Sequence, residues 1–311
     1  MASESAVFSL VAHKSIQVTE PLVRALVADQ FPEWAQLPVV AVAQSGWDNR
    51  SFRLGHDMVV RMPSAPEYEA QVHREHRWLP YLRSNLSLPI PEPLALGHPG
   101  HGYPLAWSVY RWIPGATAAS DPPRNTAQFA DDLALFLNSL RATPSEGGPK
   151  PGPENFHRGG ALSVYNKQLR EAVAGLSGQI DSAAALAIWD TALANAWNGP
   201  PVWVHGDVAL GNLLVNDGRL VAVIDFGQSC AGDPACDLAI AWTYFRAQDR
   251  STFRERLAPD AATWQRGRAW ALWKAAIVSA GLVQTNAVES RASRNTLESV
   301  LYEPAQTETS S

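Results

Sequence analysis

The chain has 311 residues, 46% of them hydrophobic and 18% charged. That suffices for one large domain or two intimately packed ones and excludes a disordered chain. Lys and Arg number 25 against 30 Asp and Glu, a formal charge of -5, so no global basic field draws in nucleic acid or anionic lipid. Two cysteines, Cys230 and Cys236, are too few for a disulfide scaffold and match no zinc spacing. The run Ala6-Val7-Phe8 is broken at once by Ser9, unlike a secretory signal. The longest low-charge stretch, residues 269 to 283, contains Lys274 and is too short and too charged to span a bilayer. A cytoplasmic location with no membrane or nucleic-acid partner is expected.

Residues 19 to 31 read as a helix: Thr19 can cap it, and Leu22, Val23, Leu26 and Val27 recur at helical spacing. Short β-like runs follow at 38 to 42, 51 to 54 and 58 to 62, with Gly55-His56-Asp57 as a hairpin signal between the last two. Residues 67 to 84 read as a charged helix carrying Glu67, Glu69, Arg74, Glu75 and Arg77. Beyond the proline-rich stretch 88 to 93, two more extended runs lead to Ile113, and Pro114-Gly115 breaks the chain.

The pattern then changes. A helix is predicted over 125 to 142, where Phe129, Leu133, Phe136, Leu137 and Leu140 share a face. A Pro/Gly-rich loop at 143 to 153 precedes helical stretches at 163 to 176 and 182 to 197. Residues 212 to 215 and 220 to 224 face each other across Asn216-Asp217-Gly218-Arg219, where Asp-Gly signals a hairpin. Helices return over 237 to 248 and 262 to 284, and the polar tail after Arg291 is expected to fray, at least past Tyr302. The chain therefore reads as α+β and bilobal, with a β-rich N-terminal lobe over residues 1 to 113 and a mainly helical C-terminal lobe over 114 to 311.

The chemistry concentrates in His205-Gly206-Asp207-Val208-Ala209-Leu210-Gly211-Asn212, followed by Ile224-Asp225-Phe226-Gly227. Kinase-type phosphoryl transfer needs a carboxylate that orients the attacking hydroxyl and accepts its proton, and an amide and a second carboxylate that hold Mg²⁺ on the phosphates. Asp207 and Asn212 stand at the spacing of base and Asn in the kinase catalytic loop. A short hairpin then returns the chain to Asp225, which lets Asn212 and Asp225 converge on one ion of the kind that prefers hard oxygen ligands. Alone, Asp-Phe-Gly reads as a strand end and His-Gly-Asp as a turn. In this order, joined by a hairpin and preceded by a β-lobe, they point to phosphotransfer.

These segments resemble the aminoglycoside phosphotransferase family, part of the wider protein-kinase-like fold, over roughly residues 15 to 290. The resemblance is strongest in Val204-His205-Gly206-Asp207, Asn212-Leu213-Leu214-Val215, Val223-Ile224-Asp225-Phe226-Gly227 and Gly232-Asp233-Pro234-Ala235-Cys236-Asp237-Leu238-Ala239. It implies transfer of the γ-phosphoryl of ATP or GTP, with Mg²⁺, to a hydroxyl of a small molecule. Asp207 would be the base, His205 a structural member of the catalytic loop, and Asn212 and Asp225 the metal ligands. Asp233 and Asp237 would fix the following loop and cap a helix.

The N-terminal lobe departs from the protein-kinase pattern. In place of a G-x-G-x-x-G loop it has Ser45-Gly46-Trp47-Asp48-Asn49, where Ser45, Gly46 and Asn49 could meet phosphate or simply form a hairpin. The third strand carries Arg61, not Lys; a guanidinium can bridge α- and β-phosphates bidentately. Glu75 is its expected ion-pair partner, with Glu69 second. Val109-Tyr110-Arg111-Trp112-Ile113-Pro114-Gly115 stands where a kinase hinge would, so adenine would bond the carbonyl of Tyr110 and the amide of Trp112. No P-loop, G-x-S-x-G, H-E-x-x-H or C-x-x-C motif is present.

Residues 116 to 204 hold eight acidic against six basic residues, and 228 to 311 hold nine of each. That balance suits a neutral or modestly charged hydroxylated acceptor better than a polycation. Trp264, Trp270 and Trp273 recur in the late helix, where helical spacing means core packing and the alternative is an aromatic wall for a ligand. An antibiotic acceptor leads; a metabolite kinase acting on a sugar, amino alcohol or nucleoside, and a catalytically silent nucleotide-binding module, are the alternatives. A protein kinase is disfavoured, since Gly227 runs quickly into Asp233-Pro234 with no A-P-E.

Overall fold

The structure, a computed structural model, describes residues 16–42, 48–283 and 285–302. Helix α1 (Glu20–Gln30) opens it, with Thr19 as N-cap accepting the Leu22 amide. Strands β1 (Val39–Ala41), β2 (Asn49–Leu54) and β3 (Met58–Pro63) follow, then helix α2 (Glu69–Arg83) and strands β4 (Pro93–Gly97) and β5 (Trp107–Arg111). The five strands form one sheet of order β1-β2-β3-β5-β4 with every neighbour antiparallel.

Alternation along these strands splits the sheet's residues between two cores. Phe52, Leu54, Val60, Met62, Trp107 and Val109 pack with Val23, Leu26 and Val27 of α1. Tyr110 and Val59 belong to the other face, with Leu79 and Leu82 of α2 and the larger C-terminal core. By the same period Arg61 and Ser108, cross-strand partners in β3 and β5, lie on that second face. Strand periodicity thus turns Arg61 away from α1.

After β5 come β6 (Ala116–Thr117), α3 (Thr126–Ala142), α4 (Asn166–Gly175), α5 (Ser182–Ala194), β7 (Val202–Val204), β8 (Leu213–Asn216), β9 (Arg219–Val223) and β10 (Cys230–Gly232). Strand β8 pairs with β6 and β9, and β7 with β10, all antiparallel. The β8–β9 turn has positive φ at both Asp217 (51°) and Gly218 (78°), as a tight hairpin of this hand requires. Helices α6 (Ile240–Thr243), α7 (Ala247–Leu257), α8 (Ala261–Ser279) and α9 (Ala287–Leu301) complete the fold. The architecture is α+β and bilobal, of the protein-kinase-like type. Among the described residues no helix is long and apolar enough to cross a membrane.

Two sequence expectations are corrected here. The helix expected over 237 to 248 is instead a 3-10 segment (Pro234–Ala239), the short α6, a break, and α7. Buried Arg250 explains the break: its guanidinium donates to the carbonyls of Ala241 at 2.7 Å and Phe245 at 3.2 Å, which a continuous helix would have occupied. The tail does not fray after Arg291 but forms α9. Asn286 caps the amides of Val288 and Glu289, Thr296, Leu297 and Val300 are buried, and Arg268 donates to the Val300 carbonyl at 2.9 Å. Trp264, Trp270 and Trp273 are buried core residues, with Tyr165 stacked on Trp273 at 3.9 Å between ring centroids. They form no open aromatic wall.

Candidate active site

Strand β7 delivers the chain to the loop 205–212. Gly206 has φ 84°, and a Cβ there would lie 2.7 Å from the Gln228 carbonyl oxygen, so the turn needs glycine twice over. His205 is fully buried. Its Nδ1 accepts the Asp207 amide at 3.2 Å, which leaves the ring hydrogen on Nε2, 3.0 Å from the Ile224 carbonyl it donates to. His205 therefore splices the catalytic loop to the strand before Asp225 and is a positioning residue.

Asp237 does not cap a helix. Its two carboxylate oxygens accept the amides of His205 and Gly206, each at 2.8 Å, clamping the loop from below. The capping falls to Asp233, whose Oδ1 accepts the Ala235 amide at 3.0 Å. Asp233 is itself held by Arg266 of α8, which donates from Nε and Nη2 at 2.7 and 3.1 Å. This bidentate pair ties the segment bearing Asp237 to the helical core.

Asp207 presents its two oxygens to different neighbours. Oδ2 accepts Asn212 Nδ2 at 3.0 Å, and the same amide donates to the Asp207 carbonyl at 2.9 Å. Oδ1 lies 3.6 Å from Lys274 Nζ, on α8. Burial pushes the Asp207 carboxyl up, but the charges of Lys274 and Arg158 outweigh it and hold the group below the usual carboxylate value. Asp207 is thus ionised at neutral pH, and its side chain keeps 26% exposure.

Asn212, whose amide group is spent on Asp207, accepts the Ile224 amide at 2.9 Å through its main-chain carbonyl. That bond sets Asp225 beside it. Asp225 has φ 69°, a left-handed conformation that Asp tolerates, and the turn ends the strand at the cleft. Its Oδ1 accepts Arg61 Nη2 at 2.7 Å. Arg61 also pairs with Glu75 at 3.4 and 3.5 Å, and the Tyr110 hydroxyl donates to Glu75 Oε2. Burial opposes the Arg61 charge, yet Asp225 and Glu75 together raise its proton affinity above the usual value. Burial pushes Glu75 up, and Arg61 opposes that shift. Glu69, the second choice, instead accepts the Ala106 amide at 2.7 Å.

The remaining nucleotide-site expectations fall out unevenly. Ser45 and Gly46 lie outside the described residues. Asn49 is buried at the start of β2, opposite Pro63. The Trp112 amide donates to the Asp57 carbonyl at 2.7 Å, and the Arg53 guanidinium lies 4.0 Å over the Trp112 ring. The hairpin thus already satisfies the donor expected to meet adenine, and Tyr110 enters the site through its phenol.

Four contributors escaped the sequence reading. Asp48 accepts Gln71 Nε2 at 3.2 Å, and its carboxyl is pushed up to about 6, first by burial and then by the charges of Asp225 and Asp207. An Asp in a turn ordinarily signals only the turn. Arg74 of α2 donates to the Gly227 carbonyl at 2.6 Å, bracing the loop after Asp225. Lys274 and Arg158 complete the set. Lys274 had one visible signal, a lone cation inside an apolar helical stretch.

The donor set fits a Mg²⁺ ion. Asn212 keeps its side-chain oxygen, Asp225 keeps Oδ2, and both are hard ligands joined through the Ile224 amide bond. Among the described residues no group of three or more His, Cys, Asp and Glu could hold an ion by itself. Mg²⁺ characteristically takes one or two protein ligands and completes its shell with phosphate and water.

Comparison with known proteins agrees with this geometry. The chain is 29% identical over 141 residues to an aminoglycoside 3'-phosphotransferase of Escherichia coli, a match covering 44% of this chain and 52% of that protein. The chain thus spans about half the length of the first curated relatives it matches. The fold superposes on the GDP complex of an aminoglycoside 2'-phosphotransferase-IIIa variant with a TM-score of 0.71 at 18% identity, covering 91% of this chain and 97% of the other. A macrolide 2'-phosphotransferase from Brachybacterium faecium gives a TM-score of 0.56 at 20% identity, covering 93% and 100%. At such identities the structural likeness is one of fold. The family model described as the phosphotransferase enzyme family matches residues 39–270, and the chain belongs to that family.

Proposed function

We propose that the protein is a kinase that moves the γ-phosphoryl of ATP or GTP to a hydroxyl of a small molecule, an antibiotic foremost. The observation that carries this reading is the ionised, part-exposed Asp207, with Oδ2 held by Asn212 and Oδ1 turned to the cleft. An acceptor hydroxyl bonded to that carboxylate attacks the γ-phosphorus as its proton passes to Asp207, and the nucleoside diphosphate leaves. Bound Mg²⁺, held by Asn212 and Asp225, would neutralise charge on the phosphates. Arg61 stands beside Asp225 with a permanent charge for the α- and β-phosphates, and Glu75 and Tyr110 orient it. Asn49, with Ser45 and Gly46, is assigned to the phosphate loop. The backbone around Tyr110 and Trp112 is assigned to the adenine edge, where the Trp112 amide would have to leave Asp57. We place the boundary between nucleotide lobe and catalytic lobe at residues 113 and 114.

The names of the relatives, aminoglycoside and macrolide phosphotransferases, support an antibiotic acceptor. A metabolite kinase shares every step and differs only in the acceptor. A silent nucleotide-binding module fits poorly with an intact set of Asp207, Asn212 and Asp225. The test is nucleotide-diphosphate release against a panel of aminoglycosides, macrolides, sugars, amino alcohols and nucleosides, with Asp207→Asn as control. The variant should lose roughly 10²–10⁴ in turnover while keeping nucleotide affinity. Turnover within a few-fold of wild type would remove Asp207 from this role.

A further inference from the structure

Asp207 faces two cations on the side away from the nucleotide elements. Oδ2 turns to Asn212, which is bonded through its backbone to Ile224, next to Asp225. Oδ1 turns the other way, to Lys274 of α8 at 3.6 Å. The Lys274 side chain is 48% exposed, and among the described residues its ion-pair partner is Asp207. The Arg158 guanidinium acts on the same carboxylate. Arg158 is held in place: its Nε donates to Gln228 Oε1 at 3.3 Å, and its guanidinium lies 5.4 Å from both the Trp270 and Trp273 rings. The aromatic faces that might have stacked an acceptor are thus covered by a positive charge.

The acceptor side of the base therefore holds two cations against the single carboxylate that pairs with Lys274. An acceptor bearing an ammonium beside its reacting hydroxyl would bring like charge against Lys274 and Arg158. One bearing an anionic group there would pair with them and leave Asp207 free to take the proton. We infer that Lys274 and Arg158 form an anion-recognising acceptor subsite, so that the substrate is a hydroxylated compound carrying a carboxylate or phosphate near the hydroxyl that is phosphorylated. This narrows the proposed function and rests on Asp207 as its base.

The experiment uses the full chain with Mg·ATP and four probes on one hexose ring: glucuronate, glucose 6-phosphate, glucose and glucosamine. A compound seated beside Asp207 is either phosphorylated or displaces the attacking water, so ADP release changes from its basal rate in both cases. Glucuronate or glucose 6-phosphate should reach half-maximal effect at about tenfold lower concentration than glucose, the usual worth of a charge-assisted hydrogen bond, with glucosamine weakest. Which of the two anions leads separates a carboxylate site from a phosphate site. In Lys274→Gln the advantage over glucose should shrink to near unity, while the effect of glucose itself persists. The inference is overturned by equal potency of all four, by preference for glucosamine, by no effect of any probe, or by an anion advantage that survives in both Lys274→Gln and Arg158→Gln. Failure of the underlying reading looks different: Asp207→Asn would then release ADP at the wild-type rate.

Discussion

Arg61 of β3 donates from Nη2 to Asp225 Oδ1 at 2.7 Å, across 164 positions of sequence. The same guanidinium pairs with Glu75 of α2, so one cation serves two carboxylates and joins the N-terminal sheet to the loop that ends β9. Arg74 reinforces the joint through the Gly227 carbonyl. The cleft between the lobes is held by charge, at the place where phosphates would compete for Arg61.

Arg61→Ala should therefore cost stability as well as function. It leaves Glu75, 5% exposed, without its cation. Removing one partner of a buried pair costs about 3–5 kcal/mol. Urea denaturation should show that loss for Arg61→Ala and a clearly smaller one for Arg61→Lys. Equal stability of wild type and Arg61→Ala would show that Tyr110 alone suffices to hold Glu75.

Asp225→Ala removes a carboxylate that sits in the cleft beside Asn212. Mg²⁺-dependent nucleotide binding should be lost, because the phosphates would no longer be neutralised at that point. Titration calorimetry with Mg·ATP is the direct check; an unchanged affinity would overturn Asp225 as a metal ligand.

Asp237 touches no reacting atom in the proposed mechanism, yet Asp237→Ala should impair turnover. The change strands the buried amides of His205 and Gly206, each a 2.8 Å bond in the native loop, at a cost of about 2–4 kcal/mol together. The catalytic loop would then no longer hold Asp207 in register. Thermal unfolding should report the stability loss, and kcat should fall more than KM rises. A stable variant with native kcat would show that the clamp is dispensable.

Asp48 supplies a pH signature in metal-free, nucleotide-free protein. Its carboxyl is pushed up to about 6 from an ordinary 3.8. Folding therefore disfavours its charged form. The penalty is full above pH 6 and fades as pH falls toward 3.8, reaching at most about 3 kcal/mol. Asp48→Asn should thus be more stable than wild type at pH 7, with the gap closing near pH 4. A gap that is constant with pH would mean that Asp48 titrates normally.

The α+β order, the hairpin between β8 and β9, and the grouping of Asp207, Asn212 and Asp225 were legible in the sequence because each depends on short-range spacing. Alternation, a turn dipeptide and a few residues of separation decide them. Helix α9 was less legible because its apolar stripe is narrow: Leu297 and Val300 become informative only once α8 lies beneath them. The break between α6 and α7 hid for a related reason, since it is stabilised by the Arg250 side chain reaching back to main-chain carbonyls. Asp237 shows the limit most plainly. Its position in a helix-starting segment suggested a cap, and only the folded chain shows its two oxygens on the loop 31 and 32 residues earlier.

By itself, the sequence determined which groups this protein can bring to phosphoryl transfer, since the identity and local order of Asp207, Asn212 and Asp225 are covalent facts. Tertiary structure alone decided what surrounds them. Lys274 beside Asp207, Arg61 between Glu75 and Asp225, and Asp48 facing both aspartates are contacts between elements distant in the chain. Electrostatic energy depends on distance through space and on burial, and sequence separation specifies neither.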